Sequence, residues 1–302
     1  MQTVCPNNLK QGDKVVIVSS ARKITKKELE ESIKLFSLWG LKVTLGKTID
    51  KEDNQFAGDD TWRAEDIQRA INDKEIRAVF FARGGYGSVR ILDKIDFSPL
   101  KDDPKWLIGY SDVTAVLMHC FFTQKLCCLH AIMPVNILNT EENTATDSLK
   151  NVLFNGKNTI TAKANRLNRY GKIEGEIIGG NLSVIYSLLG SSSFSETKDK
   201  ILFIEDLDEY LYHIDRMMQG LKRAGNLKDL KGLIVGTFSD MHDNDISFGK
   251  TAYEIILNAV KSYDYPVAFD VPIGHIGEKN HALIIGKYSS ITINQQQTLI
   301  EQ

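Results

Sequence analysis

Down the first half of the chain, short apolar runs alternate with amphipathic segments, and each apolar run stops in small or glycine-rich residues. DKVVIVSSA (13–21) reads as a strand, ITKKELEESIKLFSLWG (24–40) as a helix closed by Gly40, and LKVTLGK (41–47) as the next strand. TWRAEDIQRAINDK (61–74) is helical in pattern, IRAVFFARGG (76–85) is an apolar strand running into glycines, and SVRILDKI (88–95) returns to helix. WLIGYSD (106–112) follows as a strand with the helical VTAVLMHCFF (113–122) behind it, and CCLHAIM (127–133) as a further short strand. This alternation predicts a mostly parallel sheet with helices on both faces. Ligands of such sheets gather at the carboxyl ends of the strands. SSA (19–21), ARGGYG (82–87) and GYSD (109–112) all lie at such ends, so three polar or glycine-rich termini converge on one rim.

Past a polar stretch at 139–170, expected to be a short helix and a crossover, the character changes. KIEGEIIGGNLSVIYSLLG (172–190) reads as strand and helix, and KILFIEDLDE (200–209) as a strand ending in acids. YLYHIDRMMQGLKRAG (210–225) is a helix, LKGLIVGTF (230–238) a strand and TAYEIILNAVKSY (251–263) a helix. PVAFDVPIGH (266–275), HALIIGKY (281–288) and SITINQQQTLIEQ (290–302) read as closing strands. The expected division is an α/β domain over residues 1–160 and a smaller, more β-rich α/β domain over 161–302. A chain of 302 residues, 42% hydrophobic and 25% charged, has core enough for both.

Charge and composition exclude several classes. Thirty-seven Lys and Arg against thirty-nine Asp and Glu leave a net charge of -2, which is no footprint for nucleic acid. The N-terminus carries no signal-length apolar stretch after a basic region, and no apolar run is long enough to span a membrane, so a cytoplasmic protein is expected. Of the four cysteines, Cys127 and Cys128 are adjacent while Cys5 and Cys120 stand apart. That spacing offers neither a disulfide framework nor a metal knuckle, and free thiols are expected.

The turn at Gly109-Tyr110-Ser111-Asp112 combines a strand end with a helix start, the setting of an activated serine. Val113 stands where a G-x-S-x-G elbow has its second glycine, and the plain alternative is that Ser111 or Asp112 caps the helix. A base and a carboxylate are needed in addition. Among the six histidines, His119 reads as a packed helix residue, His130 lies on a strand that can approach the site, and His213 reads as a half-buried helix contact. His242 belongs to an acidic loop without ligand spacing, and His281 follows the last glycine-rich turn. His275, directly after a glycine at the end of an apolar strand, occupies the position that offers a side chain to a cleft. Glu205 and Asp206 end the apolar strand 200–207, where they can serve the site or the start of the following helix.

FAGDDTWRAEDIQRAI (56–71), ARGGYGSVRILDKID (82–96), IGYSDVTAVL (108–117), GGNLSVIYSLLG (179–190), FIEDLDEYLYHIDRMMQGLKRAG (203–225) and PIGHIGEKNHALIIG (272–286) together resemble the LD-carboxypeptidases, or muramoyltetrapeptide carboxypeptidases. The resemblance runs in order through nearly the whole chain. It implies a flavodoxin- or Rossmann-like N-terminal domain and a smaller β-rich C-terminal domain, with Ser111 as nucleophile, Glu205 as acid and His275 as base. The family often carries His-Gly-Pro-Met where this chain has His130-Ala131-Ile132-Met133, a departure that bears on the substrate wall.

The implied activity is release of the terminal D-Ala from a murein tetrapeptide in cell-wall recycling, by a homodimer without metal or other cofactor. An oxyanion then takes the backbone N–H of Asp112 and one from the Gly84-Gly85 turn, that of Gly85. Gly84, Tyr86 and Arg83 are expected along the substrate, Arg83 either on the free carboxylate or in a structural salt bridge. The rival within the family is the microcin C immunity peptidase, which cuts aminoacyl-adenylate analogues. Such an enzyme wants an aromatic platform, and the crossover at 139–170 holds only Phe154 and Tyr170. A non-catalytic muropeptide-binding module and a nucleotide-dependent α/β enzyme are further alternatives. The ARGGYG loop lacks the G-x-G-x-x-G spacing that the last of these needs.

Overall fold

The computed structural model describes residues 3–302. Strands β1 (Lys14–Val18), β2 (Lys42–Leu45), β3 (Ile76–Phe81), β4 (Trp106–Gly109) and β5 (Cys128–His130) run parallel in the order β5-β4-β3-β1-β2. That is the doubly wound flavodoxin-like order, which places all five carboxyl ends on one rim. Successive side chains of a strand leave on opposite faces. Val15, Ile17, Ala78, Phe80, Trp106 and Ile108 accordingly fill one core, with helix α1 (Glu30–Leu38), while Val16, Val18, Val79, Phe81 and Leu107 fill the other, with helix α2 (Asp60–Asn72).

The second core continues without a break into the C-terminal domain. Helix α3 (Thr114–Gln124), which follows Ser111, is the wedge between them. Thr114, Ala115, Val116, Leu117, Met118, Cys120 and Phe121 are all buried, so this helix is apolar around most of its circumference, as a helix enclosed on all sides must be. After helix α4 (Thr144–Asn155), a second sheet takes β6 (Thr159–Lys163), β7 (Gly171–Asn181), β8 (Ile201–Leu207), β9 (Gly232–Ser239) and β10 (Val267–Ala268). Next come β11 (Leu283–Ile285) and the hairpin β12 (Tyr288–Ile293) and β13 (Gln297–Glu301). The order is β10-β9-β8-β7-β12-β13-β6, parallel from β7 to β10 and antiparallel beyond. Strand β11 instead returns to pair antiparallel with β5, so the C-terminal part of the chain closes the edge of the N-terminal sheet. Helices α5 (Leu182–Ser187), α6 (Leu211–Arg223) and α7 (Ala252–Ala259) complete the second domain.

Four local expectations change. The stretch 88–95 is a run of 3-10 turns rather than an α-helix, entered where the N–H groups of Gly87 and Ser88 donate to the Asp112 carboxylate. The polar crossover contains β6, whose alternating exposure is that of a strand with one wet face. Only Val267–Ala268 of 266–275 forms a strand, and the rest turns to bring His275 round.

The fourth is chemical: Cys5 and Cys127 are not free but joined in a disulfide. Val4 N–H donates to the Lys125 carbonyl and Cys127 N–H to that of Val4, both at 2.8 Å, which lays the N-terminal segment beside the approach to β5 and brings the two sulfurs together. Residues 122 apart in sequence give no hint of such a pairing, because it depends on Cα separation in space. Cys120 and Cys128 are buried free thiols.

Candidate active site

β4 ends at Gly109, Tyr110 is extended, and Ser111 adopts a left-handed φ of 60° before the chain enters 3-10 turns and α3. A non-glycine residue held there is strained, and the strain presents its side chain above the sheet rim. Gly84 lies against it: a Cβ at that position would stand 3.2 Å from Ser111 Oγ and 3.5 Å from the Asp112 nitrogen. Only a hydrogen fits comfortably between this backbone and the hydroxyl.

Asp112, 5% exposed, turns its carboxylate the other way and accepts from the N–H groups of Gly87 at 3.2 Å and Ser88 at 2.9 Å. Burial raises its pKa, against the pull of these hydrogen bonds. Buried Arg63 donates to the Gly87 carbonyl at 3.0 Å and the Gly58 carbonyl at 3.3 Å and pairs with Asp60, while the Ser20 and Ser88 hydroxyls meet at 2.7 Å. The ends of β1, β3 and β4 are thereby tied into one rigid rim. These ties are invisible in the sequence, where Asp112 reads as a possible helix cap and nothing sets Arg63 apart within its helix.

Glu205 is fully buried on β8, at a register shift against β9 that falls between Ile204 and Asp206. Bulges of this kind re-aim side chains beside sites. Its Oε2 lies 2.7 Å from His275 Nδ1. The turn carrying His275 is held by Gly274 N–H on Asn280 Oδ1 at 2.9 Å and by the Ser239 hydroxyl on the His275 carbonyl at 3.4 Å. The Tyr110 ring packs on the imidazole with centroids 4.8 Å apart, so the residue before Ser111 touches the histidine. Ser111 Oγ and His275 Nε2 make no hydrogen bond with the described residues. Burial disfavours the imidazolium, but the Glu205 charge and hydrogen bond outweigh it, and the His275 pKa ends above the ordinary histidine value.

Asp206 faces elsewhere, accepting from Asn181 Nδ2 at 2.8 Å and the N–H groups of Ser183 and Leu207 at 2.9 Å each. Burial and the neighbouring Glu205 push it up to about 7. It therefore secures the start of α5 rather than the imidazole. His130 is buried against Tyr110 and Phe203, among the described residues neither nitrogen has a hydrogen-bond partner, and burial lowers it to about 4. His119 meets the Ser193 hydroxyl, His213 meets Glu209 and His242 meets Asp208, all outside this constellation; burial lowers His281. Arg83 donates to the Lys23 carbonyl at 3.2 Å and lies 3.7 Å from Glu28, and Tyr86 stands half exposed beside Phe56. A cavity of about 680 Å³ between Leu167, Leu211, Phe238 and Tyr253 contains none of the Ser111, Glu205 and His275 side chains.

Residues 15–131 match the family model described as the LD-carboxypeptidase N-terminal domain and 174–291 that of the LD-carboxypeptidase C-terminal domain. A probable murein peptide carboxypeptidase of Bacillus subtilis is 31% identical over 98% of this chain and 94% of its own length. The murein tetrapeptide carboxypeptidase of Pseudomonas aeruginosa is 25% identical over 93% of this chain and 94% of its own. Among solved structures, a muramoyltetrapeptide carboxypeptidase from Oxalobacter formigenes superposes with a TM-score of 0.86 at 23% identity, covering 95% of this chain and 98% of that one. The microcin C7 self-immunity protein MccF with aspartyl sulfamoyl adenosine does so with 0.85 at 20% identity, covering 99% and 98%. These two structures carry the fold.

Proposed function

Because the chain belongs to the LD-carboxypeptidase family, we propose that it is a serine carboxypeptidase that releases the terminal D-Ala of a murein tetrapeptide, with Ser111, His275 and Glu205 as its catalytic residues. The observation that carries the reading is the buried Glu205 carboxylate at 2.7 Å from His275 Nδ1, with the imidazole packed beside the left-handed serine turn.

In this reading Glu205 accepts from Nδ1–H and leaves Nε2 as the base. Substrate binding brings Ser111 Oγ and Nε2 together. Oγ adds to the carbonyl carbon of the L-configured residue while Nε2 takes the hydroxyl proton. The oxyanion takes the N–H groups of Asp112 and Gly85, which Gly84 allows the substrate to approach. Collapse breaks the C–N bond, and His275 returns the proton to the departing amine of D-Ala. Water, deprotonated by the same imidazole, then releases the shortened peptide. Gly84 and Tyr86 flank the bound peptide.

The test is D-Ala release from a defined tetrapeptide, followed by mass spectrometry. Wild-type protein should release it, and Ser111→Ala should lower the rate by about 10⁴-fold or more at an unchanged thermal midpoint. A folded Ser111→Ala protein at full rate refutes the assignment, and release by neither protein turns the search to aminoacyl-adenylate analogues. Phe154 packs on Trp39, which leaves exposed Tyr170 as the one free aromatic of the crossover and favours the peptide. The family resemblance supports a homodimer, to be read by light scattering. Peptide recycling carries a cytoplasmic setting, whereas the Cys5–Cys127 bond speaks for an oxidising one. No helix among the described residues is long and apolar enough to cross a membrane.

A further inference from the structure

A carboxypeptidase must distinguish a chain end from a chain interior, and the mark of the end is a free carboxylate. In a scissile dipeptide unit that carboxylate lies three bonds beyond the attacked carbon, within about 3.5 Å of it. The group that reads it must therefore stand about one residue's length from Ser111. Near the ends of β1 and β3 stand Arg22, Lys23, Arg63, Arg83 and Arg90. Lys23 is paired with Glu52, Arg90 and Arg63 with Asp60, and Arg83 faces Glu28. Arg63 is in addition fully buried and spends its donors on backbone carbonyls.

Arg22 differs from all four. Among the described residues no carboxylate lies within salt-bridge distance of it, and it stands exposed just past the carboxyl end of β1. Its side chain lies across Gly85: a Cβ there would meet Arg22 Cδ at 2.6 Å and Cγ and Nε at 2.7 Å each. Gly85 follows Gly84, which itself abuts Ser111 Oγ, so the Arg22 stem packs on the residue next to the one that faces the nucleophile. The backbone beneath it is fixed, with the Ser19 hydroxyl donating to the Arg22 carbonyl at 2.7 Å and Arg22 bridged to Phe56. The planar fork of an arginine matches a carboxylate in two parallel hydrogen bonds.

We infer that Arg22 is the residue that selects for the free C-terminal carboxylate of the substrate, binding it across the Gly85 turn. The assignment rests on the carboxypeptidase reading above. Its glycine platform explains why residue 85 carries no side chain: φ there is 113°, and the space a Cβ would take is filled by Arg22.

The test compares a tetrapeptide with its C-terminal amide, an uncharged copy that keeps the scissile bond. Wild-type protein should favour the acid, chiefly through KM. Arg22→Ala should lower the acid-to-amide ratio of kcat/KM by about 10- to 100-fold, the worth of a charge-assisted hydrogen-bonded pair, with Arg22→Lys in between. A thermal midpoint equal to wild type shows the variant folded. An Arg22→Ala protein that keeps the wild-type ratio overturns the assignment alone, as does a wild type that cuts acid and amide equally well. A wild type that cuts neither overturns the carboxypeptidase reading, and this assignment with it.

Discussion

At Ser111 a single dihedral concentrates the chemistry, and the residue facing it decides the pH at which that chemistry runs. His275 must be neutral to take the Ser111 proton, and its pKa is held above 6.5 because Glu205 outweighs burial. The sign is then fixed: kcat/KM should fall as the pH drops through a value above 6.5. In Glu205→Gln only the Asp206 charge still opposes burial, so the acid limb should move to lower pH than in the wild type while the rate at neutral pH falls. A pH profile of both proteins reads this, and an unmoved limb removes Glu205 from the imidazole's control. His130 works in the opposite sense. Its folded pKa of about 4 lies below the unfolded 6.5, so the folded state excludes a proton the unfolded state binds. Stability is full above pH 6.5 and is lost as the pH falls toward 4, up to about 3 kcal/mol in all. His130→Leu should flatten the urea midpoint over that window, and a slope equal to wild type would place the sensitivity elsewhere.

Between elements, the site depends on how closely three strand ends can be drawn together. The Asp112 carboxylate and the Arg63 guanidinium make those ties, each a buried group with hydrogen bonds to main chain of a neighbouring loop, Arg63 pairing with Asp60 besides. The result is a glycine backbone pressed on the serine. Gly84→Ala would insert a methyl 3.1 Å from Ser111 Cβ and 3.2 Å from its Oγ. Displacements of about an ångström at a reacting atom cost on the order of 10²-fold. Gly84→Ala should therefore lose about that factor in kcat while the circular dichroism spectrum stays the same. An undiminished kcat would mean that the 84–85 turn does not bound the reacting group.

Across the whole molecule, the two sheets are one mechanical unit because a single core runs through both and α3 fills the gap between them. Exchange of β11 into the first sheet ties the end of the chain back to its beginning, and the Cys5–Cys127 bond ties the N-terminal segment to the approach to β5. Without reductant, two of the four cysteines should react with an alkylating reagent after denaturation, and all four should after reduction. Closing so long a loop is worth up to about 4–5 kcal/mol on the chain-entropy view, so dithiothreitol should lower the urea midpoint. Four labels without reductant would show the bond absent in the purified protein.

From the sequence alone came the alternation that makes a doubly wound sheet, the convergence of three strand ends on one rim, and the placing of Ser111 and Glu205 at strand ends, while His275 is expected at a strand end that the structure replaces by a turn. These are local facts: hydrophobic period, strand termini and short motifs are written in consecutive residues. The alternation of TITAK in β6 is itself a local strand signal, masked in the sequence by the polarity of its surroundings. Tertiary structure decided what depends on residues far apart in the chain. It decided which of two adjacent acids meets the imidazole, because the register shift at Glu205 is a relation between β8 and β9. It decided that Cys5 finds Cys127, that β11 crosses to the other sheet, and that Arg22, among the described residues, has no carboxylate within salt-bridge distance while Lys23, Arg63, Arg83 and Arg90 each face one. Pairing is a property of distance in space, and no spacing in the sequence encodes it.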